Sequence, residues 1–368
     1  MRVTSYNVEN LFSRAKVFNQ DTAAQGRPVL NAYTRTSNLF QKSSYSDADK
    51  SAILKGLTVL GIDKTDDAPM VLLRQNRGHL LKRSRTGRVE IVASGRGDWI
   101  GWLELKKEAV SETATRNTGQ VIRDLDPDVL AVVEAEDRTS LLRFNADVLG
   151  QLDDGVLAHV MVIDGNDNRG IDVGILSRSG YSIPRIASHV DDVDDSGVIF
   201  NRDCAEYWVD TPSGSQLLVM VNHFKSKGYG SQAESNNRRL RQAERVRAIY
   251  QERRTQGAEH VVIVGDFNDF PMSAALDPLL GPGTDLRDVS AVPGFQDGGF
   301  PGTYTTGSAN KKIDYILCSP AVFASVTAAG IFRAGVWTAS GRWPMYPNMK
   351  RPQDAASDHA AIWADLNL

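Results

Sequence analysis

Val261-Val-Ile-Val-Gly-Asp-Phe-Asn-Asp-Phe270 is the stretch on which the reading of this chain turns. Four apolar β-branched residues run straight into a glycine, which predicts a strand buried on both faces. Gly265 permits a bend or a close backbone approach at its end. Strand side chains alternate, so Asp266 and Asn268 are expected to project together from the rim of a sheet. A carboxylate and an amide there suit holding a water against a phosphoryl or carbonyl group. Taken alone, the pair reads equally as a polar turn after a core strand.

Other strands meet polar chemistry in the same way. The strand Arg2 to Tyr6 ends at Asn7, with Glu9 two positions on. Val129-Leu-Ala-Val-Val133 ends at Glu134. Leu217-Leu-Val-Met-Val221 ends at Asn222 and His223. Asp314 heads Ile313-Asp-Tyr-Ile-Leu317, and Asp358 and His359 precede Ala360-Ala-Ile-Trp363. Four of these sites lie at C-terminal ends of strands and two at N-terminal starts. If the last two strands run opposite to the others, all six sites meet at one rim. Asn7, Glu134, Asp358 and Glu9 are hard oxygen donors of the kind that suit Mg²⁺ or Mn²⁺ rather than zinc. His223 and His359 suit phosphate contact or proton transfer, and Asp314 is the acid available to orient His359.

The chain has 368 residues, 41% hydrophobic and 24% charged, with a net charge of −3, so no global basic field announces nucleic acid. Cys204 and Cys318 are too few for a disulfide framework and lack metal spacing. No apolar run approaches the ~18 residues of a membrane span. No signal peptide is read before Val3, so a cytoplasmic protein is expected, secreted only if a leader was removed. The stretch Ser13 to Lys50, with Gln20-Asp-Thr-Ala-Ala-Gln-Gly-Arg27, reads as loop. Helices are expected from Ser46 to Gly61, Thr113 to Leu125, Leu141 to Leu152 and Asn236 to Arg254. Strands are expected at Met70–Leu73, Arg88–Ala93, Trp99–Leu105, Leu157–Ile163, Ile171–Leu176, Tyr207–Val209, Phe323–Ile331 and Ala361–Leu366. Arg88–Ala93 and Trp99–Leu105 flank Ser94-Gly-Arg-Gly-Asp98 and should pair as a hairpin. Hairpins rule against a purely parallel sheet. An α/β architecture of two facing, largely antiparallel mixed sheets with helices outside fits better.

In order, Ser5-Tyr-Asn-Val-Glu9, Asp128-Val-Leu-Ala-Val-Val-Glu134, Asn222-His223, Gly265-Asp-Phe-Asn268, Ile313-Asp-Tyr315 and Ser357-Asp-His359 resemble the signature blocks of the endonuclease/exonuclease/phosphatase superfamily. That superfamily includes apurinic repair nucleases, pancreatic-type deoxyribonucleases, sphingomyelinases and inositol polyphosphate 5-phosphatases. The resemblance implies a four-layer α/β/β/α sandwich over residues 1–368 that hydrolyses phosphate esters with Mg²⁺ or Mn²⁺. It implies Glu134 as principal metal ligand, with Asn7 and Asp358 close by and Glu9 near the metal or its waters. It implies that Asp266 holds or deprotonates the attacking water. Asn268 and His223 would contact the scissile phosphate, and His359, oriented by Asp314, would stabilise developing charge. Val133 stands where many relatives carry Gln, which weakens the match to repair nucleases. Asn222-His-Phe-Lys-Ser-Lys-Gly228 resembles a block of secreted bacterial nucleases and adds Asn222 and Lys225 as substrate contacts. Material from about 13 to 111 is extra, an insertion or lobe within the domain.

The leading expectation is a nuclease acting on DNA or RNA as a monomer. The alternative is the same chemistry on a phospholipid head group or a small phosphomonoester, and a third is an inactive binding module. A lipid enzyme would use an apolar hairpin, for which Trp99-Ile-Gly-Trp-Leu103 is the candidate. Arg169, in Asp164-Gly-Asn-Asp-Asn-Arg-Gly170, reads as a phosphate contact or a partner of Asp172 or another acid. Glu136 reads as a cap of the next turn. Seven arginines against two glutamates on Asn236–Arg254, and the run Arg74, Arg77, Lys82, Arg83, Arg85, Arg88, read as solvated surface or as nucleic-acid contacts. Trp337, Trp343 and Tyr346 read as base-stacking groups or as packing under their loop.

Overall fold

The computed structural model describes residues 1–18, 20, 23–152, 155–167, 169–227 and 231–368. Asp21 and Thr22 of the expected loop, Asn168 of the turn before Arg169 and Gly228 of the Asn222 block lie outside the described residues. The chain divides into two compact units, one built from Met1–Phe12, Val110–Lys227 and Ala233–Leu368, the other chiefly from Ser13–Ala109.

Twelve strands of the first unit form two six-stranded sheets. In chain order they are β1 (Arg2–Asn7), β2 (Val129–Ala135), β3 (His159–Ile163), β4 (Asp172–Ser177), β5 (Arg185–Ala187) and β6 (Cys204–Asp210). Then come β7 (Gln216–His223), β8 (Val261–Asp266), β9 (Arg287–Asp288), β10 (Asp314–Cys318), β11 (Val326–Phe332) and β12 (Ala361–Leu366). One sheet has the order β11-β12-β1-β2-β4-β3 and the other β5-β6-β7-β8-β10-β9. β1 runs parallel to β2, and β7 parallel to β8. β12 is antiparallel to β1, and β10 antiparallel to β8. Asp314 and Asp358-His359 therefore come to the same rim as the C-terminal ends of β1, β2, β7 and β8.

Strand alternation builds the layers. Val3, Val129, Ala131, Val133 and Ile362 of one sheet pack against Ala205, Val219, Val221, Val262, Val264 and Ile316 of the other. The outer face of the first sheet (Tyr6, Leu130, Val132) is covered by α1 (Glu112–Leu125) and α2 (Arg138–Asp147). The outer face of the second (Leu218, Met220, Val261, Ile263) is covered by α3 (Gln232–Thr255) through Ala243, Val246, Ile249 and Tyr250. This is the expected α/β/β/α sandwich. α1 begins where the Ser111 hydroxyl accepts from Ala114 N and stops at Asp126, left-handed before Pro127. Phe323, expected in a strand, lies on the short helix Pro320–Ser325 that precedes β11.

The arginines of α3 are engaged within the chain. Arg239, Arg241, Arg245, Arg247 and Arg253 pair with Asp269, Asp194, Asp192, Asp285 and Glu206, and Arg238 and Arg254 donate to backbone carbonyls. The acids that neutralise it come from distant loops and from β6, which favours the solvated-surface reading of this helix. Trp343 and Tyr346 also pack rather than stack: Trp343 is buried against Phe300, and the Tyr346 hydroxyl donates to Asp124.

Arg253 belongs to a buried cluster with a pH signature. Glu206 on β6 accepts from Arg253 Nε and lies 2.7 Å from His189 Nε2, and Asp192 lies 3.0 Å from His189 Nδ1. Burial opposes charge on His189, but Glu206 and Asp192 outweigh it and raise its pKa above the ordinary value. A raised folded pKa gives stability that is present in full below about pH 6.5 and is lost as pH rises through the folded value. His189→Gln is expected to flatten the pH dependence of the urea midpoint from about pH 6.5 upward. An unchanged profile would remove His189 from the account.

The second unit has its own core around Leu30, Tyr33, Phe40, Ile53, Leu57, Val71, Leu73, Trp99 and Leu103. The helix from Asp47 to Val59 starts at Ser46 in a capping box with Asp49, as expected. The stretch read as loop is corrected: Ala23–Phe40 is an 18-residue helix. Its polar composition, with Gly26 and Pro28 near the start, hides a face of Leu30, Tyr33, Thr36 and Phe40 that tertiary packing buries. The expected hairpin is also corrected. Val89–Ile91 pairs with Leu81–Arg83, and Ile100–Leu105 pairs with Val71–Arg77. The turn Ser94–Asp98 is held instead by the 42–45 segment, with Arg96 N donating to Lys42 O and Tyr45 N to Ser94 O. No described helix is long and apolar enough to cross a membrane.

Candidate active site

Asp266 is the last residue of β8, on the face of Val262 and Val264 that looks between the sheets. It is buried and accepts from Asn268 N at 2.8 Å, Asn268 Nδ2 at 3.0 Å and Asn7 Nδ2 at 3.3 Å. Asn268 reaches back because its backbone is left-handed, with φ 54°. Burial, then the charge of Asp314, push the Asp266 carboxyl up to about 8. Gly265 permits the geometry: with φ 129°, a Cβ there would sit 1.9 Å from Asn222 O.

His359 Nδ1 lies 2.9 Å from Asp314 Oδ2, which also accepts the Thr303 hydroxyl at 2.5 Å. Its Nε2 lies 3.8 Å from Asp266 Oδ2 and 3.7 Å from Asp358 Oδ1. Burial opposes charge on this imidazole, yet Asp314 and Asp266 raise its pKa well above the ordinary value. His223 is the opposite case. Burial, then the charges of Arg202 and Arg169, push it well below the ordinary value. His223 Nε2 lies 3.6 Å from both Glu134 Oε1 and Asp266 Oδ2. The surroundings thus favour the neutral form of His223 and the charged form of His359 about the same carboxylate.

Glu134 reaches this group through a bulge. Val173 pairs with Val133 and Asp172 with Ala135, leaving Glu134 unopposed at φ 66°. Strict alternation would have aimed it at the helical layer with Val132. Asn7 Oδ1 accepts from Glu9 N, and Glu9 Oε2 accepts from Asp358 N, both at 3.0 Å. The left-handed pair Glu9 and Asn10 turns the chain to make this possible. Ser357 ties the two ends together by donating to Asn7 O.

These contacts bring together Asn7, Glu9, Glu134, His223, Asp266, Asn268, Asp314, Asp358 and His359. Asn222 is not among them. Alternation turns it to the helical side of β7, buried, with Nδ2 donating to Met220 O. Arg169 pairs with Asp167 rather than Asp172, at 2.7 Å. Lys225 is pushed down to about 7 by burial and by Arg202 and Arg169. Glu136 accepts from Leu11 N and Phe12 N, so it holds the loop after β1 rather than the turn that follows it. Sequence reasoning missed Arg202, which is 1% exposed, donates to Asp167 and Phe224 O, and thereby supports the carbonyl that Asn268 also uses. It also missed Thr303 on Asp314 and Tyr304, whose ring lies 4.8 Å from that of His359. A buried arginine inside Phe200-Asn-Arg-Asp203 offered a weak signal; Thr303 and Tyr304 offered none.

Asp266, Asp314 and His359 offer atoms within 4.8 Å of one another. His359 Nδ1 is engaged by Asp314, and its Nε2 stands 3.8 Å from Asp266, so the imidazole lies between the two acids. Asn7, Glu9, Glu134 and Asp358 are hard oxygen donors of the chemistry that suits a divalent ion, and Glu134 is also among the acids that raise Asp266, after burial and Asp314.

A profile of the Endonuclease/Exonuclease/phosphatase family matches residues 110–359. The chain belongs to this family. It is a family phosphoesterase by that membership. A mannosyl-6-phosphatase of Bacteroides thetaiotaomicron is 17% identical, with 70% of this chain and 92% of that one covered and a TM-score of 0.51. A second family protein of the same organism is 17% identical, with coverage of 68% and 86% and a TM-score of 0.50. At these identities the likeness is one of fold. No curated protein matches the sequence. The family match begins at residue 110, after the second compact unit.

Proposed function

We propose that this protein is a divalent-metal-dependent phosphodiesterase of nuclease type. The observation that carries the reading is the convergence on Asp266 of the amides of Asn7 and Asn268, His223 and the His359–Asp314 couple. Asn7, Glu134, Asp358 and Glu9 would hold Mg²⁺ or Mn²⁺, which when bound neutralises charge on the phosphoryl oxygens. Asp266, fixed by Asn7 and Asn268, aligns the attacking water and takes its proton. His359 donates through Nε2 to the phosphoryl oxygen on which charge develops, with Asp314 and Thr303 fixing its ring. His223 and Asn268 contact the phosphate from the other side. Arg169 and Arg202, which share Asp167, lie with Lys225 near His223 and suit an anionic phosphate ester. Of the lipid candidate Trp99-Ile-Gly-Trp-Leu103, Trp99 is buried with its indole donating to the Tyr45 hydroxyl, which leaves Trp102 as its one exposed aromatic.

The test is hydrolysis of single-stranded DNA, duplex DNA, RNA, sphingomyelin, an inositol phosphate and a sugar 6-phosphate, with Mg²⁺ or Mn²⁺ and with chelator. Chelator-sensitive cleavage of nucleic acid is expected. Turnover of the sugar phosphate, inositol phosphate or lipid alone would move the substrate to the phosphomonoester or lipid reading, and turnover unaffected by chelator would remove the metal.

A further inference from the structure

The second unit is charged unlike the rest of the chain. Residues 13–109 hold 17 Lys and Arg against 10 Asp and Glu, whereas the remainder holds 25 against 35. The excess is local. Between Pro69 and Val89 there are six Lys and Arg and no acid. Arg83 pairs with Asp66 and Arg74 with Glu104, but Arg77, Lys82, Arg85 and Arg88 are exposed and make no ion pair among the described residues. A surface built only for solubility mixes both signs.

An aromatic group stands in the same surface. Trp102 lies on the strand Ile100–Leu105 with Arg74 directly opposite on Val71–Arg77. Val71, Leu73, Leu103 and Leu105 of this pair face the unit's core, so Trp102 and Arg74 face solvent. Trp102 is 45% exposed, although Trp99 three residues earlier is completely buried. Chain connectivity sets the unpaired cations beside it. Arg77 ends the strand that carries Arg74, and Lys82, Arg85 and Arg88 sit on the hairpin that follows.

We propose that this sheet face and hairpin form a docking surface for single-stranded nucleic acid. Cations that no acid of the unit neutralises take the phosphates, and Trp102 takes an unpaired base on its ring. Stacking needs a base face that duplex does not offer, so a single strand is the committed ligand. The proposal goes beyond the active-site reading. It rests on that reading only in making the bound strand the substrate.

The test uses the full chain with Asp266→Asn to block turnover, in chelator, and a fluorescein-labelled oligothymidylate followed by anisotropy. Arg77→Gln/Lys82→Gln/Arg85→Gln/Arg88→Gln is expected to weaken binding at least tenfold at 50 mM salt. It should also flatten the salt slope by up to about 3, at roughly 0.7 per lost phosphate contact. Trp102→Ala is expected to weaken binding about tenfold, with the salt slope kept. With Asp266 restored, hydrolysis of bis(p-nitrophenyl) phosphate should be unchanged by either set, which reports an intact fold and site. Affinity unchanged by either set overturns the proposal, as does no binding by the parent protein. So does equal, equally lost binding to phosphatidylcholine–phosphatidylserine vesicles, which would assign the face to an anionic membrane. Binding of the oligonucleotide without cleavage by the unmutated protein in Mg²⁺ would keep the face and sink the nuclease reading instead.

Discussion

Asp266→Asn is expected to lower kcat on the best substrate by on the order of 10³-fold or more, with the fold retained. The carboxylate is the one group that both amides, His223 and His359 address. Asparagine keeps its shape and removes its basicity. Three donors, Asn268 N, Asn268 Nδ2 and Asn7 Nδ2, face the two carboxylate oxygens, so an amide nitrogen in either place loses at least one hydrogen bond. The neutral amide also relieves the crowding by Asp314 that burial makes costly. These effects oppose each other, so the melting temperature should stay within about 5 °C of the parent. His359→Ala is expected to match the loss in kcat, since Asp314 would then orient nothing. Single-turnover rates with saturating metal separate this chemistry from release of product. Activity within tenfold of the parent in either variant would remove these residues from the reaction.

The largest loss of stability is expected at Arg239 and Asp269, which lie beside the site without contributing to its chemistry. Both are fully buried, and Arg239 Nε donates to Asp269 Oδ2 at 3.0 Å. Arg239 also donates to Lys225 O, and Asp269 also pairs with Lys227 and accepts from Phe270 N. The pair fastens the loop after β8 to α3. Beneath it, Phe267 stacks between Phe224 and Tyr315 at 4.8 and 4.9 Å. Removing Asp269 leaves Arg239 buried without an acid, and removing Arg239 leaves Asp269 with only the half-buried Lys227, at a cost of about 3–5 kcal/mol. Arg239→Met or Asp269→Leu alone should therefore lower the melting temperature by on the order of 10 °C. The double substitution should recover most of that, because an apolar pair carries no desolvation cost. Urea unfolding of the four proteins measures the coupling. A single-variant loss below about 1 kcal/mol would show that the loop is held by its aromatic stack instead.

The second acid of Gly265-Asp-Phe-Asn-Asp269 is thus an anchor, and nothing local distinguishes it from the first. Asp266 and Asp269 are the same residue type in one loop. Alternation past β8 and the reach of α3 assign one to the rim and the other to the interior.

What the sequence by itself determined was the strands and the polar residues at their ends. Runs such as Val129–Val133 and Val261–Val264 are apolar on both faces, so their boundaries are local and legible. Nine of the polar residues chosen on that ground do meet at one rim, because β10 and β12 run opposite to β8 and β1. What only the tertiary structure decided was direction and pairing. A bulge turns Glu134 into the site, and alternation turns Asn222 out of it. Acids from distant loops neutralise α3, and burial of Leu30, Tyr33 and Phe40 makes a helix of a polar stretch. The common reason is range. Hydrophobic period is written in neighbouring residues, whereas the facing of a side chain and the partner of a charge depend on residues hundreds of positions away.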